Sequence, residues 1–241
     1  MSETVMTHII ARIRTDFPTK FGIPRQSGLA DVPARIVFEP EYRNADALRG
    51  IEEYSHLWLI WQFSEAVRES WSPTVRPPKL GGNRRVGVFA TRSPFRPNAI
   101  GLSSVRLHRV EYGTPEGAVL HISGADLMDG TPIFDIKPYF AYTDSHPEAS
   151  GSFALAGDAV RVECAEGVLD ALPQEKRETL LRVLAQDPRP GYQHEPGRVY
   201  GLLFAGCNVR FTVEDGVLTV REVCPADRAL GGKSLTGLTF C

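Results

Sequence analysis

Apolar and polar residues alternate in several short runs within the first 140 residues of the chain. Alternation with a period of two is typical of β-strands that bury one face. Alternation occurs in the second half of residues 6–15 and along 100–112. Other strand-like runs lie at 34–39, 117–123 and 133–139, and two mainly apolar runs lie at 56–63 and 86–90. About seven strands this short, with few helical patterns among them, favour an antiparallel sandwich or barrel.

The run at residues 56–63, HLWLIWQF, is apolar at nearly every position. A strand with one solvated face needs apolar residues only at alternate positions. We therefore expect this strand to be buried on both faces, or to have one face in the core and the other at an interface between two subunits, as in a homodimer. Trp58 and Trp61 are assigned to the core or to that interface, with stacking on a nucleic-acid base as the alternative.

The pattern changes after residue 140. Residues 142–158 are small and polar and contain glycine, serine and proline, as linkers do. We therefore predict a first domain at residues 1–145, a linker at 146–157 and a small α/β domain at 158–241.

Two features support the α/β character of the second domain. Residues 173–186 follow a helical pattern in which Pro173 suits the first turn. Asp215-Gly216 predicts a tight turn between strands at residues 208–213 and 217–223.

Charge is strongly segregated along the chain. The whole chain has a net charge of −2, yet residues 70–110 contain eight arginines and lysines and no aspartate or glutamate. Such a segment indicates a polyanionic partner, usually nucleic acid, and a merely solvated basic face is the alternative. The prolines and glycines of residues 75–103 argue against that alternative, because a solvated face does not require a backbone fixed or freed at so many positions.

Several classes of protein are disfavoured. No run of 18 apolar residues exists, and the first 20 residues show no apolar secretory segment. The four cysteines lack CxxC spacing, so we expect no metal site and reduced thiols in a cytoplasmic protein. No glycine has another glycine two residues away, which excludes the GxGxxG loop of Rossmann folds.

Four stretches carry a resemblance to a known family. They are VRPPKLGGNRRVGVFATRSPFRPNAIGLS at residues 75–103, KFGIPRQSGL at 20–29, DGTPIFDIKPY at 129–139 and AQDPRPGY at 185–192. In this order and spacing they resemble the YaeB/TrmO family of tRNA methyltransferases, from about residue 10 to residue 221.

The resemblance implies a fold and an activity. The fold is mainly β: a closed, non-Rossmann antiparallel barrel over residues 1–145 that binds S-adenosylmethionine and is catalytic, and a small α/β C-terminal domain that assists tRNA binding. The activity is methyl transfer to N6 of N6-threonylcarbamoyladenosine at position 37, in the tRNA anticodon loop, by a homodimer. A non-catalytic RNA-binding β-barrel is the alternative from another class, and binding of the methyl donor distinguishes the two.

The resemblance also implies a donor pocket. Its residues are Gly28, Leu29, Phe63, Ser64, Glu65, Arg92, Leu102, Gly124, Asp126 and Leu127. Arg92 suits the methionine carboxylate of the donor, because a guanidinium pairs with a carboxylate through two parallel hydrogen bonds. We expect it to reach the pocket from the end of a buried strand at residues 86–90. At Ser64 this chain departs from the histidine that the family pattern implies.

Catalytic and RNA-binding candidates complete the predicted site. Asp135, Lys137 and Tyr139 stand in a stretch that resembles the Asp-Pro-Pro-Tyr motif of amino-methylating enzymes, where an acceptor for the N6 hydrogen is needed. The cations assigned to RNA are Lys20, Arg25, Arg76, Lys79, Arg84, Arg85 and Arg96. Among the cations, Lys137, Arg96 and Arg25 are the candidates for the threonyl carboxylate of the substrate.

Overall fold

The computed structural model describes residues 3–77, 84–151, 159–189, 195 and 197–226. Within these ranges the chain forms twelve strands and two α-helices. The strands are β1 Ala11–Arg14, β2 Pro33–Phe38, β3 His56–Gln62, β4 Thr74–Val75, β5 Val86–Gly87, β6 Ile100–Thr114, β7 Gly117–Ser123, β8 Pro132–Pro138, β9 Arg161–Cys164, β10 Tyr200–Phe204, β11 Cys207–Glu214 and β12 Val217–Pro225. The helices are α1 Ala141–Asp144 and α2 Gln174–Ala185.

Six strands of the described chain close a barrel in the order β1-β2-β7-β6-β3-β8. Every neighbouring pair is antiparallel, and β8 meets β1 where Ala11 lies opposite Ile133. The predicted antiparallel barrel is therefore confirmed, with six strands in its wall instead of about seven.

The seventh expected strand, residues 86–90, is a wrong prediction. Only Val86–Gly87 is extended, and it pairs with β4 in a separate two-stranded sheet. Val88–Ala90 is a turn of 3-10 helix, in which Val88 accepts hydrogen bonds from the backbone and the hydroxyl of Thr91. The chain therefore turns at Val88, and this valine is the buried residue of the segment.

The barrel core follows from alternation along the strands. In β3, Leu57, Leu59 and Trp61 point inward and are at most 6% exposed. Trp61 lies over Gly101 of β6, where an added Cβ would come within 2.3 Å of the indole ring. Only a residue without a side chain fits there, so this glycine sets how closely the ring packs against β6.

The opposite face of β3 points outward. It carries Trp58 and Ile60, both half-buried, and the indole N–H of Trp58 donates to Asp144 over 2.9 Å. Trp61 therefore belongs to the core and Trp58 to the outer wall.

A second core lies between α2 and a four-stranded sheet in the order β10-β11-β12-β9. The predicted turn is confirmed, since Asp215 and Gly216 both have positive φ between β11 and β12. The helix predicted at residues 173–186 is also confirmed, as α2.

The barrel contributes residues to this second core. Phe17 and Val32, from the segment between β1 and β2, are buried in it. Gly22 lies against Leu202 so tightly that a Cβ would come within 2.1 Å of a methyl carbon. Apolar packing thus joins this segment to the C-terminal sheet. The division of the chain at residues 146–157 stays a prediction, and residues 152–157 lie outside the described ranges.

Candidate active site

A short loop at residues 26–29 joins distant parts of the chain. The backbone N–H of Gly28 donates to the carbonyl of Gly124 over 2.9 Å. The φ angles of these two residues are 79° and 82°, which side chains disfavour and glycine tolerates. An added Cβ on Gly28 meets no described atom within 4 Å, so open space lies beside the backbone at this point.

Asp126 follows this contact and is half-buried. Its carboxylate accepts a hydrogen bond of 2.5 Å from the hydroxyl of Ser103, which in turn accepts one of 2.9 Å from the indole of Trp61. Burial raises the pKa of Asp126, while the bond from Ser103, the backbone N–H of Ser27 and the charge of Arg92 oppose that rise. The result is a carboxylate that is a stronger base than an ordinary aspartate and is held in one orientation.

Arg92 reaches the same loop from another direction. Its guanidinium donates a short hydrogen bond to the side-chain oxygen of Gln26, and its charge acts on Asp126. It lies in an exposed loop beyond the turn Val88–Ala90, so the expectation that it leaves a buried strand was wrong. The loop at residues 26–29 therefore brings Gly28, Leu29, Arg92, Gly124 and Asp126 together.

Phe63, Ser64 and Glu65 lie where β3 ends. The ring of Phe63 packs edge-on against Trp61 with centroids 4.3 Å apart. Ser64 and Glu65 are exposed, and Lys20 binds the latter through an ion pair of 3.1 Å and a hydrogen bond of 3.2 Å to its carbonyl. This rim is thus tied to the segment that leads to Gly28.

The two remaining leucines of the predicted pocket, Leu127 and Leu102, differ in their exposure to solvent. The side chain of Leu127 is 1% exposed and belongs to the barrel core. Leu102 is 58% exposed and points outward, opposite to its buried neighbour Ser103.

The predicted catalytic residues lie on the outer wall of the barrel. Asp135 pairs with Lys137 over 2.8 Å, and this hydrogen bond raises the pKa of the lysine. The ring of Tyr139 packs against Trp58, with centroids 5.3 Å apart. In β3, Trp58 and Ile60 are opposite Lys137 and Asp135, and both point away from the core. The structure therefore does not bring this trio to Asp126, and alternation along β8 is the reason.

A cleft of about 1350 Å³ opens beside Arg92 and Leu29. Among the described residues, its lining includes one acid, Glu69, and six arginines: Arg25, Arg68, Arg76, Arg85, Arg92 and Arg96. A concave surface with this balance of charge favours a polyanion.

The predicted RNA-binding cations divide into two groups. Arg76, Arg84 and Arg85 are exposed on or beside the β4–β5 hairpin, and Arg85 donates to the hydroxyl of Thr74 over 3.0 Å. Lys79 lies outside the described residues.

The other group makes contacts within the chain. Arg25 donates to the carbonyls of Asp187 and Arg189, both over 2.9 Å. Arg96 donates to the carbonyl of Thr91 over 3.0 Å, and Lys20 pairs with Glu65 as described above. These contacts hold loops in place. Within the described residues they leave the charges of Arg25 and Arg96 uncompensated by an acid, whereas the charge of Lys20 is balanced by Glu65.

Sequence reasoning missed Ser103 and Gln26, whose partners are more than 20 positions away. It also missed the exposed rings of Trp71 and Phe89 in the cleft. The basic character of the surrounding stretch was the available signal for the rings. No such signal in the sequence pointed to Ser103 or Gln26.

Other kinds of site find no support in the described part of the chain. Its histidine, cysteine, aspartate and glutamate side chains form no group of three or more suited to a metal ion. No helix in the same ranges is both long and apolar enough to cross a membrane.

The barrel, the carboxylate at residue 126 and the cleft define a class of protein. It is a closed antiparallel β-barrel with a half-buried carboxylate near an arginine-lined cleft. The sequence profile of the tRNA-methyltransferase O N-terminal domain matches residues 12–145, and that of the TrmO C-terminal domain matches residues 158–226. The chain therefore belongs to the tRNA-methyltransferase O family.

Individual relatives agree with this membership. The chain is 43% identical over 227 residues to the tRNA (adenine(37)-N6)-methyltransferase of Escherichia coli, covering 90% of this chain and 96% of that protein. It is 44% identical over 172 residues to the tRNA (adenine(37)-N6)-methyltransferase of Eikenella corrodens, covering 70% of this chain and 97% of that protein. The crystal structure of TrmO from Pseudomonas aeruginosa superposes with a TM-score of 0.76 at 34% identity, over 94% of this chain and 99% of that one.

Proposed function

We propose that this chain transfers a methyl group from S-adenosylmethionine to N6 of N6-threonylcarbamoyladenosine at position 37 of tRNA. The observation that carries the proposal is the position of Asp126. Its half-buried carboxylate lies beside Arg92 and Gly28, and those residues adjoin the arginine-lined cleft. The site thus combines a carboxylate base, a guanidinium and open space beside the backbone, at the edge of a basic surface. Such a combination suits a methyl donor that is bound next to a nucleic acid.

The residues of the loop fit the donor chemically. Arg92 would pair with the methionine carboxylate, oriented by its hydrogen bond to Gln26. The open space beside Gly28 allows a ligand to approach the backbone closely. Leu29, 42% exposed, and the half-buried ring of Phe63 offer apolar surface to the adenine. Ser64, Glu65 and Gly124 remain pocket residues by family resemblance, whereas the outward direction of Leu102 and the burial of Leu127 give no support to a place in the pocket.

Bound S-adenosylmethionine supplies an electrophilic methyl group on a sulfonium, and transfer leaves a neutral thioether. The amine must lose a proton as its bond to carbon forms. We propose Asp126 as the acceptor of that proton, because burial raises its pKa and Ser103 fixes its orientation. Asp135 is less suited, since its charge is neutralised by Lys137 on the outer wall.

The test is incubation of the purified chain with S-adenosylmethionine and tRNA that carries N6-threonylcarbamoyladenosine, followed by mass spectrometry of the nucleosides. The expected product is the N6-methyl derivative, and tRNA without the threonylcarbamoyl group is the control. RNA binding without donor binding or product would instead favour a non-catalytic RNA-binding barrel.

We further propose that the barrel is the catalytic domain and that the C-terminal module assists tRNA binding. Gln186, which follows α2, lines the cleft. Arg25, another lining residue, is held by the carbonyls of Asp187 and Arg189. The module therefore supports one wall of the proposed RNA surface.

A homodimer is the proposed assembly. The outer faces of β3 and β6 carry Trp58, Ile60, Ile100 and Leu102, the last two being 42% and 58% exposed. Apolar surface of this kind on a barrel wall suits a second copy of the chain. Leu102 would then lie at the interface, which accounts for its outward direction.

A cytoplasmic location is proposed with the substrate in mind, because tRNA is modified and used there. Cys164, Cys207 and Cys224 are free thiols in the described structure, as a reducing compartment permits. Recovery of the native protein in the membrane or extracellular fraction of fractionated cells would contradict this location.

A further inference from the structure

Trp71 and Phe89 expose large aromatic rings in the cleft. Their side chains are 51% and 72% exposed, the ring centroids are 6.0 Å apart and the planes differ by 33°. Two exposed rings on one wall of a concave surface are unusual in a soluble domain, where such rings are normally covered. The arrangement calls for a ligand with flat faces.

The backbone holds this pair in position. The N–H of Val88, next to Phe89, donates to the carbonyl of Pro73 over 2.9 Å, which joins the two segments that carry the rings. Val88 itself is 1% exposed and anchors the turn, while β4 pairs with β5 alongside. These backbone contacts therefore hold together the two segments that expose the rings.

A third flat surface lies in the same cleft. The guanidinium of Arg68 lies 3.8 Å from the centroid of the Phe95 ring. A guanidinium stacked on a ring keeps its charge and presents a second planar face. With six arginines and one acid among the described lining residues, the cleft combines flat surfaces with positive charge. Single-stranded nucleic acid, which has planar bases and negative phosphates, is the ligand that matches both.

We propose that Trp71 and Phe89 form a stacking platform for unpaired nucleobases of the anticodon loop that flank the methylated adenine. The arginines of the cleft contact the phosphates between those bases. This proposal rests on the proposed function, because the loop that carries the target adenine is the single-stranded part of its substrate. The two rings line the same cleft as Arg92 and Leu29, so a base beside the target would stack while the target itself reaches Asp126.

The test measures affinity for a synthetic anticodon stem–loop RNA over a series of salt concentrations, without methyl donor. Trp71→Ala and Phe89→Ala should each weaken binding by about 5- to 150-fold, the effect of losing one base–aromatic stack. The slope of log affinity against log salt should stay unchanged, because no phosphate contact is lost. Arg76→Ala should instead reduce the steepness of that slope by about one.

Two controls separate stacking from general effects. Tyr142→Ala removes an aromatic side chain that is 88% exposed and outside the cleft, and it should leave RNA affinity unchanged. Trp71→Phe keeps an aromatic face and should retain most of the affinity. If Trp71→Ala fails to fold, Phe89→Ala decides the question.

RNA with an abasic site at each loop position identifies the stacked base. At one or two loop positions, the abasic RNA should bind the wild-type protein as weakly as the intact RNA binds Trp71→Ala. The same abasic RNA should bind Trp71→Ala no more weakly than it binds the wild-type protein. Affinities of both alanine variants within twofold of wild type would overturn the platform, as would a changed salt slope. Weaker binding of S-adenosylmethionine by calorimetry, with RNA affinity intact, would assign the rings to the donor and also overturn it.

Failure of the platform and failure of the proposed function are distinguishable. Methyl transfer measured by mass spectrometry requires the donor, whereas this binding measurement contains none. A chain that methylates tRNA but binds RNA equally well without its rings would keep the function and reject the platform.

Discussion

Arg92 reaches the loop at residues 26–29 from an exposed position, and its proposed role is to bind the methyl donor there. Its guanidinium is oriented by Gln26 and lies close enough to affect the pKa of Asp126. We expect Arg92→Ala to weaken donor binding by about 10- to 150-fold, the equivalent of a charge-assisted contact of about 1.5–3 kcal/mol. Calorimetry with S-adenosylmethionine measures this change.

Arg92→Lys should restore only part of that affinity, because an ammonium lacks the two-pronged geometry. Arg84→Ala is the matched control, since Arg84 is an exposed arginine at the other end of the same stretch, and it should bind the donor normally. Normal donor binding by Arg92→Ala together with loss of tRNA binding would place Arg92 among the phosphate contacts instead.

Asp126 makes a pH dependence predictable. Burial raises its pKa above the usual 3.8, so its basic form is lost at a higher pH than in an ordinary aspartate. The rate of methyl transfer should therefore fall as pH decreases through this raised pKa. Asp126→Asn should lower the rate by about 10²- to 10⁴-fold and remove that acidic limb. If Asp135→Asn loses methyl-transfer rate by this factor while Asp126→Asn stays active, the proton acceptor would instead be among the residues on the outer wall.

Stability of the same variant provides an independent check. Because the pKa of Asp126 is raised in the folded chain, folding favours the protonated carboxyl. This contribution to stability is fully present below about pH 3.8 and is lost as pH rises through the folded-state pKa. At neutral pH, Asp126→Asn should therefore melt at the same temperature as wild type or higher. Any difference in melting temperature between the variant and wild type should disappear in strong acid. Thermal melts recorded at several pH values measure this difference. A lower melting temperature at neutral pH would show that the ionised carboxylate stabilises the fold.

At the scale of elements, the β4–β5 hairpin presents the basic stretch. Arg76, Arg84 and Arg85 are exposed on it or beside it, so their charges are available to phosphates. Four to six phosphate contacts on a partly single-stranded loop predict a log–log slope of tRNA affinity against salt of roughly −3 to −5. Filter binding or fluorescence anisotropy at several salt concentrations measures it.

Single substitutions refine this expectation. Arg84→Ala and Arg85→Ala should each weaken binding of all tRNA species about equally, and each should make the slope shallower by about one. Donor affinity should not change in either variant. A wild-type slope near zero would mean that the stretch is a solvated basic face.

At the scale of the whole molecule, the outer barrel wall predicts the assembly. Sedimentation at micromolar concentration should give about twice the chain mass of 26.6 kDa. Ile100→Glu should convert the dimer to monomer, because it places a charge in the apolar outer face of β6. Val199→Glu is the matched control: this valine is 57% exposed and lies outside the barrel. A wild-type mass of one chain would reject the dimer.

The sequence by itself determined the local features. The apolar run at 56–63 and the alternation along 100–112 are properties of neighbouring residues, and both predicted barrel strands correctly. The turn at Asp215-Gly216 and the helix after Pro173 also follow from local conformational preference. The segregated charge and the quoted stretches indicated a tRNA-directed protein before any contact was known.

Only the tertiary structure decided which distant residues meet. Asp126 accepts from Ser103, 23 positions away, and Ser103 accepts from Trp61, 42 positions away, because β6 is paired with β7 on one side and with β3 on the other. The pairing of β8 with β3 places Asp135 opposite the outward-facing Ile60, although the stretch around Asp135 resembles a catalytic motif. Alternation specifies two faces of a strand, but only closure of the barrel specifies which face is inside.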